Sequence, residues 1–205
     1  MTEGRPRARR PSLAERRAQR AAIDDPAEVL AAAARFLEAR PRSESEVRRR
    51  LTGAGYRGDL VDAAILRLVE IGYLDDEAFA RAWVESRDRA RPRGEHALRR
   101  ELGLKGVDRG TVDTILEERR EDATQAQPGD QPREDPDEAA ALRLLEKRLP
   151  AILREPDPRR RRQRAYALLA RSGFSPDVCA GVSRRVLAAV DTAGADAGAE
   201  ADREA

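Results

Sequence analysis

One cysteine, Cys179, and one histidine, His96, are all that 205 residues offer of two side chains much used in metal and nucleophilic chemistry. A lone cysteine excludes an internal disulfide framework. A zinc site would have to add distant carboxylates to His96 and Cys179 with no ligand spacing to support it. A Ser or Cys nucleophile would need His96 as its base, and neither has a neighbouring motif that orients one. The reading is therefore that Cys179 fills a core and His96 is exposed. No Gly-Lys-Ser/Thr loop is present to hold a nucleotide's phosphates. Aromatic residues make up 3% of the chain, and runs rich in Val, Ile, Thr and Tyr are missing, which argues against an extended sheet. No charged-then-apolar leader and no apolar run long enough to span a bilayer occurs, so the expectation is a cytoplasmic chain without membrane contact. Lysine stands only at 105 and 147. A GC-rich genome produces such an arginine bias by itself, so arginine in place of lysine carries no functional weight.

What is present is alanine, arginine and leucine at helical spacing. An apolar share of 40% supplies several small cores more readily than one large one. The net charge of +2 hides a division, because residues 1–20 hold seven Arg and two Glu while residues 191–205 hold five acids and one Arg.

Residues 1–25 are Arg-rich and broken by proline, which reads as a disordered basic arm with helical potential at 12–22. Val29, Leu30, Ala33, Phe36 and Leu37 then predict a helix over 27–39, stopped ahead of Pro41. Ser43 with Glu46 three residues on is a capping box and opens a helix over 44–53 that carries Val47 and Leu51. Asp59 is expected to cap a third helix bearing Val61, Ala64, Ile65, Leu68 and Val69, ended by Gly72. Gly53, Gly55 and Gly58 match the spacing of a dinucleotide-binding turn. That turn must follow a strand, whereas a helix precedes this one, so the glycines are read as ending one helix and starting the next.

The pattern returns at an interval of 51 residues. Arg40-Pro41-Arg42 recurs as Arg91-Pro92-Arg93, Val47 as Leu98, Leu51 as Leu102, Gly55 as Gly106, Val61 as Val112 and Ala64 as Ile115. Asp75 or Asp76 caps the helix that opens this second unit, with Phe79 and Trp83 one turn apart. At an interval of 118, Leu51 maps onto Leu169, Gly55 onto Gly173 and Tyr56 onto Phe174. Asp135, Pro136 and Glu138 start this third unit's first helix, and Ser175-Pro176 opens its last. The expected fold is all-α, an elongated array of three tandem three-helix repeats with disordered termini. The expected layout is a basic arm over 1–25, repeats over 26–74 and 75–121, a flexible linker over 122–135, a third repeat over 136–190, and an acidic tail over 191–205.

Carboxylates such as Asp75-Asp76-Glu77 fit helix starts better than a metal site. Phe36, Phe79, Trp83 and Phe174 fall at core spacing, which leaves little support for base stacking. The remaining signal is basic clusters at equivalent places in the repeats: Arg40, Arg42 and Arg48 to Arg50; Arg91, Arg93, Arg99, Arg100 and Lys105; Arg159 to Arg162 and Arg164. They suit phosphates or an acidic protein groove. A solvated face with local partners such as Glu44, Glu46 and Glu101 is the alternative reading. Sequence-specific DNA reading has little support, because the middle helices offer Arg but no Asn or Gln for base edges.

The string RPRSESEVRRRL, the block VEIGYLDDEAFARAWVESR and the later RPRGEHALRRELGLKGV together resemble the RecX family of recombination regulators, closely over about residues 27–119 and more loosely in the third unit. The resemblance implies a non-enzymatic monomer without cofactor that binds RecA filaments on DNA and restrains their ATPase, strand exchange and growth. Carried onto this chain, it makes Arg42, Arg48, Arg49, Arg91, Arg93, Arg99, Arg100 and Lys105 candidate contacts, with Arg160, Arg161 and Arg164 in the third unit. Direct contact with single- or double-stranded DNA stays open, as does the alternative of a free-standing, non-specific DNA-binding helical protein. The Arg-rich arm and the linker depart from the family pattern.

Overall fold

Side-chain oxygens of Ser12, Asp25, Ser43, Asp135 and Asp157 each accept from a free backbone amide at a helix start, satisfying donors that would otherwise be unpaired. In the computed structural model, which describes residues 11–124 and 135–201, every described element is a helix. In chain order they are α1 Leu13–Ala21, α2 Pro26–Leu37, α3 Glu44–Ala54, α4 Gly58–Glu70, α5 Asp76–Ala90, α6 Glu95–Lys105, α7 Arg109–Thr124, α8 Pro136–Leu153, α9 Pro158–Arg171 and α10 Pro176–Ala201. After α1 they fall into the three expected triplets. The stretch 12–22 forms α1 behind a complete capping box, in which Ser12 and Glu15 each accept from the other's amide. Expectations for residues 1–10, 125–134 and 202–205 lie outside the described residues.

One helix start differs in detail from the sequence reading, and a second settles a choice that the reading left open. Asp59 does not cap α4, which begins at Gly58 after an uncapped Arg57. Asp59 instead lies in the first turn, where its carboxylate takes the Arg57 guanidinium at 2.6 Å. At α5, Asp75 is the residue that caps, accepting from the amides of Glu77 and Ala78. Asp76 reaches away, to the Glu44 amide at the start of α3, at 2.8 Å.

The chain divides into two compact units, Met1–Phe79 with Lys105–Val107, and Ala80–Leu104 with Asp108–Ala205. In the first, Val29, Ala33, Val47, Leu51, Val61, Ala64, Ile65 and Leu68 form one core. In the second, Ala140, Ala141, Leu145, Ala165, Leu169, Cys179, Val182 and Val186 form the core of the third triplet, and Ala80, Val84, Leu98, Leu102, Val112 and Ile115 of the middle triplet are buried as well. Cys179 stands 118 residues after Val61 and is fully buried, filling the place of a valine. Burial pushes its thiol pKa up.

Each middle helix ends in a glycine with positive φ: +105° at Gly55, +80° at Gly106 and +87° at Gly173. Two of these turns seat against the start of the middle helix before them. Within the first unit, the Ser43 hydroxyl donates to the Lys105 carbonyl at 2.5 Å, and a Cβ on Gly106 would stand 2.3 Å from the Ser45 side chain. Within the second, the Gly94 amide donates to the Ser172 carbonyl at 3.1 Å, and a Cβ on Gly173 would stand 2.6 Å from the Ala97 nitrogen. The third such turn meets α1. A Cβ on Gly55 would lie 2.9 Å from the Arg17 carbonyl oxygen, and Arg20 donates to the Ala54 carbonyl at 3.2 Å. Helix α1 thus takes the place against the first triplet that a preceding middle helix would hold.

Carboxylates reinforce the same seats. Asp137, in the first turn of α8, accepts from the Glu95 amide at 3.0 Å, as Asp76 does from Glu44 one repeat earlier. Arg119, 10% exposed, joins Asp137 at 2.7 Å and Asp88 at 2.9 Å. Burial raises the Asp76 and Asp137 carboxyls above the ordinary range.

Candidate functional site

On a helix, consecutive residues turn through 100°, so neighbouring arginines on α3 face different surroundings. Arg48 turns toward α4 and pairs with Asp62. Fifty-one residues on, Arg99 turns toward α7 and pairs with Asp113, itself 51 residues after Asp62. The same ion pair therefore ties the second helix to the third in both triplets. Arg99 also reaches Glu95 at 2.7 Å. Arg49 and Arg100, one position further, are exposed. Arg49 makes one long contact, 3.4 Å to the Ser45 hydroxyl, and among the described residues no carboxylate pairs with either.

The other candidates divide in the same way. Arg42 is half-buried over the Phe36 ring, 4.4 Å from its centroid, a packing and cation–π contact. Lys105 binds Glu46 at 2.7 Å. Burial raises the Glu46 carboxyl, but Lys105 and Arg40 outweigh it and hold Glu46 below the ordinary carboxylate range. Arg93 lies 3.4 Å from Glu101, a carboxylate that also takes Arg87 at 2.6 Å and the Trp83 indole at 3.0 Å. Arg91 is exposed without a carboxylate partner among the described residues.

On α9, Arg161 donates to the Glu155 carbonyl at 2.5 Å and lies 3.9 Å from Asp191. Arg164 binds the buried Glu155 carboxylate at 2.7 Å. Arg160, 71% exposed, has only a 3.7 Å contact with Asp157. Arg160 and Arg164 line an open groove of about 570 Å³ between α8 and α9, with Arg148 and Arg171. The sequence reading missed these last two. The signal was available for Arg171, since positions 160, 164 and 171 share one face of a helix.

Each unit thus exposes basic side chains of a middle helix while its neighbours are held in ion pairs. Such a surface suits a polyanion or an acidic protein face. Among the described residues no helix is long and apolar enough to cross a membrane. The glycines that mimic a dinucleotide turn end α3 and start α4, with no strand among the described residues.

The triplets coincide with three family models: RecX first three-helix domain over residues 30–68, second three-helix domain over 75–116, and third three-helix domain over 136–182. The Regulatory protein RecX of Deinococcus radiodurans is 35% identical over 176 residues, 86% of this chain and 72% of that protein. The Regulatory protein RecX of Mycolicibacterium vanbaalenii is 42% identical over 82 residues, which span 40% of this chain and 45% of that one. The crystal structure of RecX from Lactobacillus salivarius matches the fold with a TM-score of 0.65 at 18% identity, over 79% of this chain and 96% of that chain. With all three helical domains present in order and 35% identity along most of its length, the chain belongs to the RecX family of regulatory proteins.

Proposed function

We propose that this protein binds RecA filaments assembled on DNA and restrains their ATP turnover, strand exchange and growth, acting in the cytoplasm within recombination, repair and SOS control. Membership of the RecX family supports this reading. The observation that carries it is the pair Arg49 and Arg100, equivalent residues on α3 and α6 that stand exposed with no carboxylate beside them. A target that repeats its subunits can meet such equivalent arginines more than once. Binding across neighbouring subunits shifts a filament between active and inactive arrangements through differential affinity, so no catalytic residue is needed. Arg91 and Arg160 add exposed basic groups, while Arg42, Arg48, Arg93, Arg99, Lys105, Arg161 and Arg164 act through packing and ion pairs that hold the basic helices in place.

The test is DNA-stimulated ATP hydrolysis by the cognate RecA with this protein titrated in, beside the R49A/R100A and R48A/R99A variants. Substoichiometric inhibition is expected, weakened about tenfold in R49A/R100A, equivalent to about 1.4 kcal/mol of binding. In R48A/R99A the loss should appear as a lower melting temperature. Unchanged ATP turnover combined with tight, salt-sensitive binding to naked DNA would sink the filament reading in favour of a free-standing DNA-binding protein.

A further inference from the structure

We propose that the groove between the end of α8 and α9 is a docking site for the C-terminal end of a carboxylate-bearing helix from a partner protein. Twice within this chain the start of a middle helix seats the glycine turn that ends another: Ser43 and Ser45 hold Lys105 and Gly106, and Gly94 and Ala97 hold Ser172 and Gly173. By the same intervals, the positions on α9 that match Ser45 and Ala97 are Gln163 and Arg164. Both line the groove, while Arg161, which matches Ser43 and Gly94, donates to the Glu155 carbonyl.

The chemistry of this third seat differs from the other two. Its walls carry Arg148, Arg160, Arg164 and Arg171, its apolar floor includes Ile152 and Leu168, and its one acid, Glu155, is already engaged by Arg164. Arg148 and Arg171 are exposed without a carboxylate partner among the described residues. A helix C-terminus brings unpaired carbonyls and the negative end of its dipole, and carboxylates on its last turn complete the match to four guanidinium groups. The seat at Ser43 already uses this contact, with a hydroxyl donating to a last-turn carbonyl. The middle helices of a second copy fit poorly. Two of them, α6 and α9, end in Lys105 and Arg171, and the Gly55 turn is covered by α1. The proposal needs no filament and rests on the groove and the two internal seats.

The probe is a fluorescent peptide copying residues 164–174, the helix end that fills the second seat, with Arg164 and Arg171 both replaced by glutamate. Anisotropy is read against the full chain, the R148E/R171E variant, and R100E on α6. Saturable binding to the full chain and R100E, weakened about tenfold or more in R148E/R171E at unchanged circular dichroism, supports the site. Should the double reversal unfold the third triplet, R171Q alone carries the same comparison. Equal binding by the groove variants overturns the proposal. It is overturned equally if a single-stranded oligonucleotide displaces the peptide through Arg148 and Arg171, which assigns the groove to phosphates. Binding seen only after residues 192–205 are removed assigns it to the chain's own acidic end instead. RecA is absent from all these mixtures, so failure here is separate from failure of the filament reading.

Discussion

Arg48 and Arg49 are adjacent in the sequence and separate in the structure, one fastened to Asp62 and the other free of carboxylates. A basic run read from the sequence cannot make that division, because the acid that claims Arg48 sits one helix later. The repeat contains the clue, since Asp62 and Asp113 share the interval that relates Arg48 to Arg99. Core positions are legible in the same way, and they expose one misfit. Ser183 stands where Ile65 and Leu116 stand in the other triplets, and its buried hydroxyl has no hydrogen-bond partner. Leaving a buried hydroxyl unpaired costs about 1–3 kcal/mol. S183A is therefore expected to raise stability by about 1 kcal/mol, read as a higher urea midpoint at unchanged slope. A lower midpoint would mean the hydroxyl is satisfied after all.

At the scale of elements, capping residues, helical spacing and the repeat interval anticipated the triplets, although the Asp157 cap that starts α9 went unread and the third triplet matches loosely for a reason the structure supplies. The buried pair Val29 and Ala33 recurs as Ala80 and Val84 at 51 residues but as Ala141 and Leu145 at 112, while the second helices keep the interval of 118. Six extra residues between α8 and α9 break the register. The seats between middle helices were not legible, because the glycines read only as helix ends and the backbone they touch is distant in sequence. Gly173 tests this. With φ +87° and the Ala97 backbone where a Cβ would go, G173A combines a strained conformation with a clash and is expected to cost about 2 kcal/mol or more. Gly103 lies inside α6 with nothing near its missing Cβ, so G103A should be neutral or stabilise by about 0.5–1 kcal/mol. Equal melting shifts in the two variants would contradict the seat.

For the whole molecule, a net charge of +2 does not tell which cations can meet a partner, because ion pairs occupy some of them and leave others exposed. With carboxylates already occupying Arg48, Arg93, Arg99 and Arg161, binding to naked single-stranded DNA is expected to be weak. The slope of its logarithm against log salt should flatten by about 0.7 for each exposed arginine removed, as in R49A/R100A. An unchanged slope in R49A/R100A, measured by filter binding across a salt series, would contradict this division of the arginines. On the proposed reading, contacts made by successive domains reinforce each other when the target repeats, since each bound domain raises the local concentration of the next.

The seats between middle helices bear on how such a chain can change over time. Each seat asks for a glycine on one side, a small residue or another glycine on the other, and one small donor, the Ser43 hydroxyl in the first and the Gly94 amide in the second. Nothing in that contact depends on a particular large side chain, so substitutions elsewhere can accumulate without disturbing how one triplet follows the next. A fold shared with a Lactobacillus salivarius protein at 18% identity is what so undemanding a connection permits.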